Sequence, residues 1–247
     1  MGILKDIGTF FDMLINPEEY KDTGHAGERF TYRILDDTFI PEQILRNVYI
    51  KKEDGKYTEI DLVVVCRKGL IVCESKNYSG TIYGNINDSY WTQFIRKNSK
   101  HKFLNPIFQN EGHIKALKHT LPAFTNLNFF SIVVFSDRCT IKNINYTPEN
   151  TYVIKREDLD NVIKMLVKSK QDTLSNTERD EIISILSAAS RPETEVKEQH
   201  LADVKDTMNQ CPFCKSPLVE KKNKKTGQSF LGCNNFPKCK YTRQIKA

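Results

Sequence analysis

Two short apolar runs, Ile60 to Cys66 and Leu70 to Cys73, constrain this chain more than any other feature. Both are rich in Val and Ile. Only Arg67-Lys68-Gly69 separates them, so they read as two strands joined by a tight turn in which Gly69 supplies a positive φ. Leu62, Val64 and Ile71 fall on one face of this hairpin, and Val63, Val65 and Val72 on the other. Strands that are apolar on both sides belong in the middle of a sheet covered by helices. The chain is therefore expected to be α/β.

At one end of the hairpin the apolar pattern gives way to Asp61, Glu74 and Lys76. If Lys68-Gly69 is the two-residue loop, Arg67 pairs with Leu70, Val63 lies opposite Glu74, and Asp61 lies opposite Lys76. The strand period of two then brings all three ionisable groups to one face. Opposed Cβ atoms on such a face sit ~5 Å apart and diagonal ones roughly 7–8 Å, close enough for two carboxylates to share a cation. Charged groups on an otherwise apolar hairpin need partners or a metal. Mg²⁺ or Mn²⁺ held by Asp61 and Glu74, with Lys76 beside it, suits phosphodiester hydrolysis. The ion lowers the pKa of a bound water and neutralises phosphoryl charge, and an ammonium orients that water or offsets charge in the transition state.

The surrounding residues resemble the nuclease-related (NERD) domain of the PD-(D/E)xK, restriction-endonuclease-like superfamily. The series runs Gly27-Glu28, Glu59-Ile60-Asp61, Glu74-Ser75-Lys76-Asn77-Tyr78-Ser79-Gly80, Trp91, Asn105-Pro106 and Gln109. The resemblance implies a mixed β-sheet core flanked by helices. It also implies that Glu28, on an early helix, approaches the metal site and that Gln109 helps arrange substrate. His113 shares a helix face with Gln109, but a single helical histidine reads as a surface or capping residue and is assigned no catalysis. Trp91 reads as core. Lys97, Lys100, His101 and Lys102 read equally as phosphate contacts or as a solvated loop.

Around this centre the elements follow from periodicity. Ile3 to Ile15 has helical spacing and is expected to pack on the domain or on a second copy of the chain, making a homo-oligomer. Gly24 to Leu35 reads as a helix and Ile44 to Ile50 as a strand. Further strands are expected at Thr81 to Tyr83, Tyr90 to Ile95, Phe129 to Phe135 and Tyr152 to Ile154. Pro106 opens a helix, Leu159 to Leu166 forms another, and Ser175 with Glu178 is a capping box for a third. The polar stretch from Arg191 to Thr207 reads as a linker. The expected divisions are an N-terminal helix over 1–23, a nuclease-like domain over 24–140 completed by 141–190, a linker over 191–208 and a small module over 209–247.

The net charge of +6 is concentrated at the C-terminal end, where Lys205, Lys215, Lys221, Lys222, Lys224, Lys225, Lys238, Lys240, Arg243 and Lys246 face only Asp206 and Glu220. This points to a polyanionic partner. No export signal or membrane-length apolar run is visible, so a soluble cytoplasmic protein with no membrane partner is expected. Of seven cysteines, Cys66, Cys73 and Cys139 sit in or beside apolar strands and read as buried side chains. The other four, Cys211, Cys214, Cys233 and Cys239, come as two close pairs, the pattern of a structural Zn²⁺ site. So small a segment depends on the metal for its folding free energy.

Cys211-Pro212-Phe213-Cys214 followed by Phe230-Leu231-Gly232-Cys233-Asn234-Asn235-Phe236-Pro237-Lys238-Cys239 resembles the C4 zinc finger of type IA DNA topoisomerases. The resemblance implies a zinc-ribbon-type module that binds DNA, single-stranded in that family. Phe213, Phe230, Phe236 and Tyr241 would stack on bases, while Lys221, Lys222, Lys224, Lys225 and Lys240 neutralise phosphates. At least one of Phe230 and Phe236 is expected to pack the finger's own core instead. Topoisomerase activity does not follow, since the large body of such an enzyme is missing. The expected function is a Mg²⁺-dependent nuclease with a DNA-holding finger. Its rival is a non-catalytic DNA-binding protein on a degenerate nuclease fold.

Overall fold

The computed structural model describes residues 23–96, 99–144, 147–190, 193–211, 213–223 and 226–244. The helix expected over Ile3 to Ile15 lies outside them, as do Lys97, Lys224 and Lys225. The chain is a mixed α/β protein made of two compact units, residues 1–192 and 193–247.

The first unit is built on a five-stranded mixed sheet. Its strands are β1 (Ile44–Lys51), β2 (Tyr57–Cys66), β3 (Gly69–Lys76), β7 (Phe129–Phe135) and β9 (Thr151–Lys155), in that spatial order. β1, β2 and β3 are antiparallel neighbours, whereas β3, β7 and β9 run parallel. The apolar hairpin thus lies inside the sheet, as strands without a polar face require. On one face Leu62, Val64, Ile71 and Cys73 pack under α1 (Thr23–Asp36) and α3 (Leu159–Ser169). On the other, Val63, Val65 and Val72 pack under α2 (Pro106–Thr120) and α4 (Asn176–Ala189). Each fully buried Val, Leu or Ile in these layers contributes about 1.5–3 kcal/mol relative to exposure.

A second sheet is built from β4 (Gly80–Tyr83), β5 (Tyr90–Arg96) and β6 (Ser99–Leu104), which follow β3, and from β8 (Cys139–Lys142), which follows β7. It closes over Phe135 with Trp91, whose rings stack 6.2 Å apart, and with Phe103. Trp91 is fully buried and donates Nε1–H to the carbonyl of Asn85, so it is core. Asn105 caps α2 through the N–H of Ile107 and donates to the carbonyls of Ile86 and Asp88, tying helix start to loop. Ser175 and Glu178 form the capping box at the start of α4.

Two expectations about this unit are corrected. The hairpin turn is Arg67-Lys68, because Cys66 pairs with Gly69. Gly69 (φ +130°) lies so close to the Asn128 carbonyl that no side chain fits, and with Gly69 inside the ladder the register is two residues from the expected one. Val63 is consequently opposite Val72, and the ladder ends with Leu62 opposite Cys73, so Asp61 does not pair with Lys76 as expected. A two-residue slip preserves the strand faces, so the three groups still share one side. Lys100, His101 and Lys102 belong to strand β6 and not to a loop.

In the second unit, the segment read as a linker forms α5 (Thr194–Met208), a helix that buries none of its side chains. A three-stranded antiparallel sheet follows: β10 (Leu218–Lys222), β11 (Ser229–Cys233) and β12 (Thr242–Gln244). No helix among the described residues is long and apolar enough to cross a membrane.

Candidate active site and metal centre

The polar cluster forms where β3 leaves the core. Its first six residues are buried and its last two, Ser75 and Lys76, are half-buried. Glu74 is only 1% exposed. One of its carboxylate oxygens accepts from the Lys76 ammonium, and the other lies 3.1 Å from His113 Nε2. Lys76 also donates to Gln109 Oε1 at 3.1 Å. Gln109 and His113 are one helical turn apart on α2, so that helix holds both the lysine and the glutamate. When His113 donates from Nε2 to Glu74, its Nδ1 accepts from the Thr58 hydroxyl, 3.1 Å away. Asp61 accepts the Ser75 N–H at 2.7 Å, and the Ser75 hydroxyl lies 3.2 Å from that of Thr31 on α1.

These contacts set opposite electrostatic states on the two strand carboxylates. Burial alone would push Glu74 up, but Lys76 and the His113 hydrogen bond outweigh it and hold the carboxyl below its ordinary pKa. Asp61 is raised well above its ordinary value by burial first, then by the charges of Glu74 and Glu28. Lys76 is raised despite its burial because Glu74 and Asp61 favour its charged form. Glu28, half-buried on α1, is also raised, by burial foremost and with Glu59 and Glu74 adding to it while His25 and Arg46 oppose. Like-charged carboxylates within electrostatic reach of one another in a poorly solvated corner favour a divalent cation.

In the second unit all four cysteines converge. Their sulfurs lie within 4.8 Å of one another, with Cys211 and Cys239 3.5 Å apart and Cys214 and Cys233 3.3 Å apart. Hydrogen bonds from Ser216 pull the Cys214 thiol down to about 6, toward the thiolate that binds metal. Four sulfurs in a closed set suit a tetrahedral structural Zn²⁺. Around them Phe213 is 71% exposed and meets Tyr241 edge-on at 5.6 Å. Phe236 is 62% exposed, with the Lys221 ammonium 5.4 Å from its ring centre. Phe230 is half-buried, leaving Phe236 at the surface, and Lys222 and Lys240 are exposed.

Comparison with known proteins bears on both units. A model of the nuclease-related domain matches residues 23–136, and a model of the topoisomerase DNA-binding C4 zinc finger matches residues 208–247. An uncharacterized protein of Bacillus anthracis is 31% identical over 180 residues, covering 72% of this chain and 82% of that one. This chain belongs to the nuclease-related domain family and carries a topoisomerase-type C4 zinc finger. DNA topoisomerase 1 of Pyrococcus horikoshii is 50% identical over 38 residues, which are 15% of this chain and 6% of that enzyme. DNA topoisomerase 1 of Mycoplasma genitalium is 50% identical over 32 residues, 13% of this chain and 4% of that enzyme. No solved structure matches.

The match to the nuclease-related domain spans Glu28, Asp61, Glu74, Lys76 and Gln109, and the fold brings Asp61, Glu74, Lys76 and Gln109 into one connected set. Glu28 joins through its charge. Among the described residues the four cysteines are the one group of three or more potential ligands drawn together tightly enough for an ion, so Glu28, Asp61 and Glu74 do not form a closed triad. The donors nonetheless fit Mg²⁺. They are hard oxygens, and that ion ordinarily takes one or two carboxylates and completes its shell with water and phosphate. His113, given no role from sequence, is 4% exposed and is a direct partner of Glu74. Its spacing from Gln109 was the available signal.

Proposed function

We propose that the nuclease-related domain hydrolyses phosphodiester bonds in DNA with Mg²⁺ or Mn²⁺, and that the zinc finger holds the strand, single-stranded DNA above all. The observation that carries this is Glu74, an almost fully buried carboxylate gripped by Lys76 and His113 beside a second carboxylate, Asp61, that burial and like charge destabilise. Buried clusters with such perturbed carboxylates concentrate at catalytic sites. Asp61 and Glu74 would hold the ion, which when bound lowers the pKa of a water and offsets phosphoryl charge. Lys76 keeps its proton and supplies fixed positive charge for the pentavalent phosphorus that develops on attack. Gln109 fixes the lysine and His113 the glutamate, so neither reorganises during the reaction. Glu28, whose charged form burial and the neighbouring carboxylates disfavour, would ionise more readily beside a bound cation and so add a third carboxylate to the site.

The test is incubation of zinc-loaded protein with labelled single- and double-stranded DNA, with Mg²⁺, with Mn²⁺, and with neither. Cutting that needs the added metal and falls at least about a hundredfold in Lys76→Ala, the scale of removing one charge stabiliser, supports the proposal. The rival, a DNA-binding protein on a degenerate nuclease fold, draws on the engagement of both Glu74 oxygens. Tight DNA binding without cutting under either metal would establish it.

A further inference from the structure

The parallel strands β3, β7 and β9 end level with one another: Lys76 pairs with Phe135, and Phe135 with Lys155. The residues just past these ends, Asn77, Ser136 to Arg138 and Arg156, are therefore neighbours at the carboxyl edge of the sheet. In α/β sheets that edge is where ligands bind. Arg138 is exposed, yet its guanidinium is held in place. Nε donates to the Ser136 hydroxyl at 3.2 Å, and Nη2 donates to the Asn77 backbone carbonyl and side-chain oxygen at 3.2 and 3.1 Å. Arg156 approaches the same Asn77 side-chain oxygen through Nη2 at 3.5 Å and lies over the Phe30 ring of α1, 5.0 Å from its centre.

What distinguishes the pair is that the hydrogen-bond acceptors of both guanidiniums are neutral groups. Arg156 is 9% exposed, and its Nε is a buried donor with no hydrogen-bond partner. Burial lowers its pKa; Arg138 pushes the same way and Asp137 opposes. Asp137 lends Arg156 its charge at a distance, but the hydrogen bonds of the nearby acids go to other groups. Asp137 accepts the Glu157 backbone N–H at 2.8 Å, and the Glu157 carboxylate is taken by Lys155 at 2.8 Å. Among the described residues, the side-chain oxygen that both guanidiniums reach is that of a neutral amide. Buried or immobilised arginine ordinarily faces a carboxylate. Two forks converging on an amide, one residue beyond Lys76, form a receptor lacking its anion.

We infer that Arg138 and Arg156 bind a backbone phosphate of the DNA strand that enters the Asp61–Glu74 site. Arg138 is the accessible arm and Arg156 the buried charge behind it. Asn77 holds both forks in register with β3, so the phosphate is placed relative to Lys76 by the strand itself. This rests on DNA being the substrate of the nuclease-related domain, but not on that domain's cutting it.

Binding of a short single-stranded oligonucleotide to the zinc-loaded full chain, without added Mg²⁺, tests the inference. Affinity is measured across a salt series for wild type, Arg138→Gln and Arg138→Lys. The finger contributes equally to all three and cancels in the differences. A lost phosphate contact makes the slope of log K against log salt shallower by about 0.7 on single strands. That change is expected in Arg138→Gln, with the slope restored in Arg138→Lys, which keeps the charge but not the fork. An unchanged slope in Arg138→Gln overturns the inference. So does an equal loss of slope in Arg138→Lys, which would mean that the side chain acts only by holding Asn77. If binding behaves as expected and no cleavage is found with any metal, the hydrolase proposal falls while the phosphate receptor stands.

Discussion

Asp61 is held in a state that destabilises the fold it belongs to. Because its folded pKa is raised above the ordinary 3.8, the native protein binds its proton more tightly than the unfolded chain does. Stability is then lost as pH rises from 3.8 through the folded value. Asp61→Asn removes that penalty and keeps an oxygen for the Ser75 N–H. In metal-free buffer at pH 7 it should melt about 2–4 °C above wild type, the shift that ~1 kcal/mol produces in a chain of this size. The advantage should shrink toward pH 4, and a melting point at or below wild type would contradict it. Glu74 has the opposite sign. Its folded pKa is lowered from 4.5, so its contribution is present above that pH and disappears as pH falls through the folded value. His113→Ala strips one of its partners, and denaturant unfolding at pH 7 should show a loss of about 1–3 kcal/mol, the cost of an unsatisfied buried acceptor.

At the scale of elements, the site depends on how closely α1 approaches the tip of β3. A Cβ at Gly27 would sit 2.7 Å from the Asn77 Cβ and 3.4 Å from the Ser75 hydroxyl. Gly27→Ala therefore wedges the helix carrying Glu28 and Thr31 away from the strand carrying Glu74 and Lys76. It should cost about 1–3 kcal/mol as overpacking and should lower cleavage more than Ser175→Ala, which removes a distant cap worth a comparable 0.5–2 kcal/mol. Equal activity in the two at matched folded fraction would contradict this coupling.

Much at this scale was legible in the sequence, since local pattern decides it: the doubly apolar hairpin, the helix opened by Pro106, the Ser175 capping box, the two cysteine pairs. What escaped depends on distant residues. Gly69 pairs with Cys66 beside the Asn128 carbonyl, a neighbour that the local pattern does not reveal. β6 exists because Lys100, His101 and Lys102 pair with Phe94, Gln93 and Thr92, although its own sequence, Ser-Lys-His-Lys-Phe-Leu, reads as polar. His113 becomes a partner of Glu74 only when α2 lies on the sheet, a contact across 39 residues of chain. α5 has no apolar stripe to announce it.

At the scale of the whole molecule, two units depend on different sources of stability. The first has layers of buried Val, Leu and Ile on both faces of a sheet, whereas the finger has a short three-stranded sheet and four sulfurs. Removing zinc should unfold the finger alone. Trp91, the chain's one tryptophan, is buried in the first unit, so its fluorescence melting curve should not move on chelation, while affinity for single-stranded DNA falls. A Trp91 transition that shifts with zinc would show the units to be one cooperative block. In the proposed function, tethering the finger to the nuclease-related domain raises the local concentration of strand at the carboxylates without altering them. Deleting the finger should therefore raise the DNA concentration needed for half-maximal cleavage and leave the maximal rate little changed.

The central claim is that Asp61 and Glu74 together take up a divalent cation. Counting Mn²⁺ bound to the zinc-loaded protein by electron paramagnetic resonance tests it most directly. The account predicts one Mn²⁺ site in wild type, retained in Lys76→Ala and lost in both Asp61→Asn and Glu74→Gln. Mn²⁺ bound equally well by wild type and by those two carboxylate variants would contradict it.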